Sequence, residues 1–125
     1  MLRRKVVGLV LAMTATAGAV GIGRLPALMG DLVVGVTDGD TFTIENKQPI
    51  RLYGIDAPEP QFCNGEEAKN RLKVLVLNKR VLIRQPYTDL WRRVMALVYA
   101  DGKLINEIMV REGMAEYVGL GRDET

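Results

Sequence analysis

Two turn signals, Asp38-Gly39-Asp40 and Asn46-Lys47, cut the stretch 32–53 into three short runs rich in β-branched and aromatic residues. The spacing predicts strands over Leu32–Thr37, Thr41–Glu45 and Gln48–Tyr53. The next stretch, Ile55 to Gln61, contains Pro58 and Pro60 and cannot extend the third strand, so it is a loop. A helix is expected from Asn64, with Asn64 as N-cap and Glu67 closing a capping box, and Ala68, Leu72, Leu75 and Val76 on one apolar face. Two further strands are predicted over Arg80–Arg84 and Arg92–Tyr99, separated by a loop over Gln85–Asp89. Asp101-Gly102 turns the chain into a last helix, where Leu104, Ile105, Ile108 and Met109 share a face and Gly113 is the C-cap. Five short strands with a helix after the third suggest a mainly β (α+β) protein. A small closed barrel with two packed helices fits this pattern, and the five-stranded OB barrel is one such fold.

Two absences limit the chemistry. Among the 125 residues there is no histidine and no serine, which excludes Ser-His catalysis, histidine bases and histidine metal sites. The single cysteine, Cys63, cannot close an internal disulfide or a zinc cage, and it is expected to be part-buried and inert. Any bound metal must take oxygen ligands, as calcium, magnesium and manganese do.

The net charge of +2 is unevenly spread. Residues 1–30 carry Arg3, Arg4, Lys5 and Arg24 and no acid, whereas 31–125 hold 13 basic against 15 acidic residues. The body has no basic excess, so any phosphate site must be local. The segment 1–30 reads as a signal peptide or membrane anchor ahead of a domain over 31–125. A basic start precedes an uncharged stretch from Val6 to Gly23, and Ala15-x-Ala17 is a small-residue cleavage pattern. The expected location is secreted or extracytoplasmic, with membrane attachment through residues 6–23 if cleavage does not occur.

Four loop acids stand out: Asp38, Asp40, Asp56 and Glu59. Asp40 opens the second predicted strand, while Asp56 and Glu59 follow the third. If those strands pair as a hairpin, Asp40 and Asp56 lie at the same end of the sheet. Two carboxylates with loop carbonyls suit a hard cation and leave room for water. Arg51, on the strand leading into the second loop, adds a fork suited to a phosphate held on that cation.

These residues carry a resemblance. Val36-Thr-Asp-Gly-Asp-Thr41, Arg51-Leu-Tyr-Gly-Ile-Asp-Ala-Pro-Glu59, Gly65-Glu-Glu-Ala68, Arg93 and Tyr99-Ala-Asp-Gly-Lys-Leu-Ile-Asn-Glu107 occur in the order seen in staphylococcal nuclease and its thermonuclease relatives. From about Val33 to Ala115 the chain resembles that family. The resemblance implies an OB barrel and a calcium-dependent, sugar-non-specific phosphodiesterase. Such enzymes cut DNA and RNA to leave 3′-phosphates. Asp40 and Asp56 match the calcium-binding carboxylates, and Ala57 sits where the family supplies a backbone carbonyl to the metal. Glu59 matches the carboxylate that orients or deprotonates water. Arg51 and Arg93 match the pair that grips the scissile phosphate. Substrates implied are DNA and RNA, single strands preferred, acted on by a monomer.

Arg92 is the rival of Arg93, and strand alternation allows only one of them into the site; counting back from Tyr99-Ala-Asp-Gly favours Arg93. The chain also departs from the family. Leu90-Trp91-Arg92 stands where relatives have Lys-Tyr-Gly, which removes a lysine contact to a terminal phosphate and leaves Trp91 to stack on a base or to pack. Gly119 and Gly121 stand where the family has two nucleotide-flanking tyrosines, with Tyr117 two positions early. Two other functions compete: an inactive barrel binding single-stranded nucleic acid or protein, and a small anchored domain whose acidic loops only bind calcium.

Overall fold

The computed structural model describes residues 29–119. The expected leader or anchor stretch, 6–23, lies outside the described residues, as does Gly121. Among the described residues no helix is long and apolar enough to cross a membrane.

The chain runs β1 (Asp31–Asp38), β2 (Thr41–Ile44), β3 (Pro49–Leu52), β4 (Ile55–Asp56), α1 (Gly65–Val76), β5 (Arg80–Thr88), β6 (Val94–Ala100), β7 (Lys103–Leu104), α2 (Ile105–Arg111) and β8 (Glu116–Tyr117). Antiparallel pairing joins β1 to β2, β2 to β3, β5 to β6 and β1 to β5. The ring is closed by parallel pairing of β3 with β6, where Ile50 faces Val94 and Arg51 faces Met95. The expected five-stranded OB barrel is therefore present. Register shifts in β1, between Val33 and Gly35 and between Val36 and Asp38, add the bend that a small barrel needs.

The interior is filled by Val33, Phe42, Leu52, Val81 and Val98 from the strands, with Leu72 and Val76 from α1 and Ile105 and Met109 from α2. Helix α1 lies across β1. The one buried asparagine, Asn106, has its polar atoms satisfied. Its Oδ1 accepts the Val98 N–H at 3.0 Å, and its Nδ2 donates to the carbonyls of Tyr53 at 3.0 Å and Ala96 at 3.2 Å. It thus ties the end of β3 to β6 across the seam that closes the barrel.

Four local expectations are corrected. The Asn64 capping box does not form, because Asn64 is left-handed (φ 66°) and makes no side-chain cap bond. The 85–89 loop is mostly strand: β5 runs on to Thr88, and an irregularity between Arg84 and Tyr87 absorbs Pro86. Strand β6 starts at Val94 rather than Arg92. Cys63 is exposed.

Candidate active site

Asp40 is fixed by the turn that precedes it. Asp38 Oδ1 accepts the Asp40 N–H at 3.0 Å, which closes the turn on itself. Gly39 between them is a spatial requirement, since a Cβ there would lie 2.7 Å from the Ala68 Cβ and 2.8 Å from the Ala57 Cβ. The result is a carboxylate only 1% exposed. Its Oδ1 accepts the Thr41 hydroxyl at 2.9 Å and stands 2.8 Å from Arg51 Nη1, and its Oδ2 accepts the Ala57 N–H at 2.9 Å. Burial pushes the Asp40 carboxyl up to about 7, and hydrogen bonding to Asp38 adds to the rise. The Ala57 N–H and the Arg51 charge oppose it.

Arg51 comes from β3, opposite Thr41 of β2. Its guanidinium forks between two carboxylates: Nη1 to Asp40, and Nη2 to Asp56 Oδ1 at 3.0 Å. Asp40, Arg51, Asp56 and Ala57 are thus brought together as expected. Thr41 and Asp38 also belong to the constellation. Asp38 is among the four loop acids that stand out in the sequence; the signal for Thr41 is adjacency to Asp40, which by itself reads as ordinary turn chemistry.

Glu59 lies on the exposed loop after β4. Its carboxylate accepts Gln61 Nε2 at 2.7 Å, and its carbonyl accepts the Phe62 N–H at 2.9 Å. The loop is pressed against the start of α1, where a Cβ on Gly65 would fall 1.9 Å from the Glu59 carbonyl oxygen. Among the described residues Glu59 makes no hydrogen bond to Asp40, Arg51 or Asp56.

Both Arg92 and Arg93 lie in the connection ahead of β6, where strand alternation does not apply. With Arg51, Thr41, Gln48, Pro49 and Val94 they line one cleft of about 170 Å³, so the expectation that only one arginine enters it is corrected. Asp89 organises this connection. Its carboxylate accepts the N–H groups of Trp91 (2.9 Å) and Arg93 (2.8 Å) and holds Arg93 Nε at 2.6 Å. Burial pushes the Asp89 carboxyl upward, but these donors and the Arg93 charge outweigh it and leave it below its ordinary value. The Arg93 guanidinium lies 5.4 Å over the exposed Trp91 ring.

A hard cation suits the Asp40–Asp56 pair. Both carboxylates direct an oxygen at the single guanidinium between them, so the pair already faces positive charge. Among the described residues no three His, Cys, Asp or Glu side chains cluster, so backbone carbonyls and water would complete such a site.

Residues 49–124 match the family described as Staphylococcal nuclease homologue. The chain belongs to the staphylococcal nuclease family. The matched stretch begins in β3, so Asp38 at the end of β1, Asp40 in the turn and Thr41 at the start of β2 precede it. An uncharacterized endonuclease of Haemophilus influenzae is 39% identical over 87 residues, 66% of this chain and 49% of that protein. An uncharacterized endonuclease of Escherichia coli is 38% identical over 97 residues, covering 72% and 63% respectively. A micrococcal nuclease of Shigella flexneri is 38% identical over 95 residues, covering 66% and 55%. The chain thus spans about half to two-thirds of the length of these staphylococcal nuclease relatives.

Proposed function

We propose that the chain is a calcium-dependent phosphodiesterase that hydrolyses DNA and RNA, single strands preferentially, and leaves 3′-phosphates. The observation that carries this reading is the Arg51 fork between Asp40 and Asp56, beside a cleft shared with Arg93. Asp40, Asp56 and the Ala57 backbone are proposed to hold calcium, which supplies Lewis-acid stabilisation of the phosphate oxygens when bound. Arg51 and Arg93 supply two guanidinium forks to the non-bridging oxygens, whose charge grows in the transition state. Asp89 pre-orients Arg93 for that role by holding Nε. Glu59, exposed and on a loop, takes the proton of the attacking water in a site that has no histidine.

Purified protein should degrade single-stranded DNA and RNA in millimolar calcium and stop when the metal is chelated. Binding without cleavage would replace this reading with the inactive-barrel alternative. Export is proposed on the sequence alone, from the basic start and Ala15-x-Ala17. Mass spectrometry should find a mature start near Gly18 or the intact chain in a membrane fraction; full-length protein in the cytosol would refute export.

A further inference from the structure

The turn that leads into β6 holds an arginine where its geometry calls for glycine. The Asp89 carbonyl accepts the Arg92 N–H at 3.0 Å, and the Asp89 N–H donates to the Arg93 carbonyl at 3.0 Å. Arg92 sits between them at φ 63°. This is the three-residue hairpin connection whose last position is left-handed, and glycine is its usual occupant. A long side chain in that conformation is strained. Nothing local compensates Arg92, because among the described residues its guanidinium makes no hydrogen bond or ion pair.

The strained backbone places Arg92 on the wall of the cleft that Arg51 and Arg93 share. The other two arginines there are already matched, Arg51 by Asp40 and Asp56, and Arg93 by Asp89. Arg92 brings a positive charge with no carboxylate partner. Gln48 and Pro49 line the same cleft, so its wall extends beyond the three arginines.

We propose that Arg92 binds the phosphate adjacent to the one held by Arg51 and Arg93, so that the cleft selects chains carrying consecutive phosphates over a lone phosphomonoester. The inference rests on the proposed function, since it takes Arg51 and Arg93 as the grip on the first phosphate. The left-handed turn is what lets a residue immediately before Arg93 share its cleft.

The test compares Arg92→Gly and Arg92→Asn with the parent in a Glu59→Gln background in calcium. Both replacements tolerate a left-handed backbone, so folding is preserved. Calorimetric probes are thymidine 5′-monophosphate and a single-stranded oligothymidylate of about a dozen residues, a length that fills a barrel-sized site. Both variants should weaken oligothymidylate binding about tenfold at low salt. The slope of log affinity against log salt should fall by about 0.7, one single-strand phosphate contact. Monophosphate affinity should change by less than about twofold, because its only phosphate goes to Arg51 and Arg93. Equal weakening of both probes, or none for the oligomer, would overturn the proposal. If Arg92-dependent oligomer binding is found but the wild-type chain cleaves neither polymer, the proposed function fails and this inference stands. Cleavage by wild type with unchanged oligomer binding in the variants gives the reverse.

Discussion

Asp40 and Arg51 form a buried ion pair, 2.8 Å between Oδ1 and Nη1, with the carboxylate 1% and the arginine side chain 19% exposed. The pair does not abolish the cost of burying Asp40, whose carboxyl titrates at about 7 against 3.8 in an unfolded chain. The folded state therefore holds this proton more tightly than the unfolded one. Its contribution to stability is fully present below pH 3.8 and is lost as pH rises through about 7. In chelator, wild-type melting temperature relative to Asp40→Asn should fall steadily between those limits. A difference that stays constant across the range would refute the linkage. Calcium should reverse the trend, since it competes with the proton for the same carboxylate.

The two guanidinium forks should separate from the proposed metal ligands by their response to calcium. Arg51→Ala and Arg93→Ala should each lower kcat on the order of 10² or more, the usual loss for a preorganised donor. Asp40→Asn and Asp56→Asn should be partly rescued by excess calcium in a titration of rate against metal. Glu59→Gln should cost on the order of 10²–10⁴ with no such rescue, because it removes a base and no direct ligand.

Ligand binding should also register as stability. On the proposed function calcium with a mononucleotide binds only the folded chain, and at a hundred times its Kd it should add about 2.7 kcal/mol to unfolding. Chemical denaturation with and without both ligands measures this. Midpoints indifferent to both would count against a functional site.

Gly65→Ala should both destabilise the fold and displace Glu59. The new methyl group would enter the Glu59 carbonyl, at 1.9 Å, and neither the loop backbone nor the helix start yields cheaply. A cost of about 3 kcal/mol is expected, the upper end for overpacking. Activity measured well below the denaturation midpoint should fall as well, because the loop that carries the proposed base must move.

Asn106→Leu should orphan the Val98 N–H and the Tyr53 carbonyl, whereas the Ala96 carbonyl keeps the Tyr53 N–H at 2.9 Å. Roughly 1–3 kcal/mol for the buried Val98 N–H, with a further cost at the part-buried Tyr53 carbonyl, makes it a severe substitution. The denaturant midpoint of the variant measures the cost.

Much of this was legible in local signals. Asp38-Gly39-Asp40 announced its turn, the hairpin of β2 and β3 set Asp40 and Asp56 at one end of the sheet with Arg51 on the strand leading into the second loop, and the apolar spacing in α1 marked Leu72 and Val76 as core. What stayed hidden depends on contacts distant in sequence or on backbone that breaks residue preferences. Arg92-Arg93 reads as strand because the turn there uses no glycine; the Asp89 carboxylate helps to close it. Asn64 reads as an N-cap, yet its left-handed backbone turns it away from that role. Pro86 reads as a strand breaker, but the irregularity in β5 accommodates it. The β3–β6 seam has no local signature at all.

That seam also governs when the cleft can exist. Arg51 belongs to β3 and Arg93 immediately precedes β6, and these strands meet only in the parallel pairing that closes the barrel. Contacts between segments so far apart in the chain are slow to form and arrive late in folding. A ribosome that has released β1 to β3 but not yet β6 exposes Arg51 without its counterpart. The paired arginines are therefore deferred until β3 and β6 meet, whatever local structure β1 to β3 have already formed.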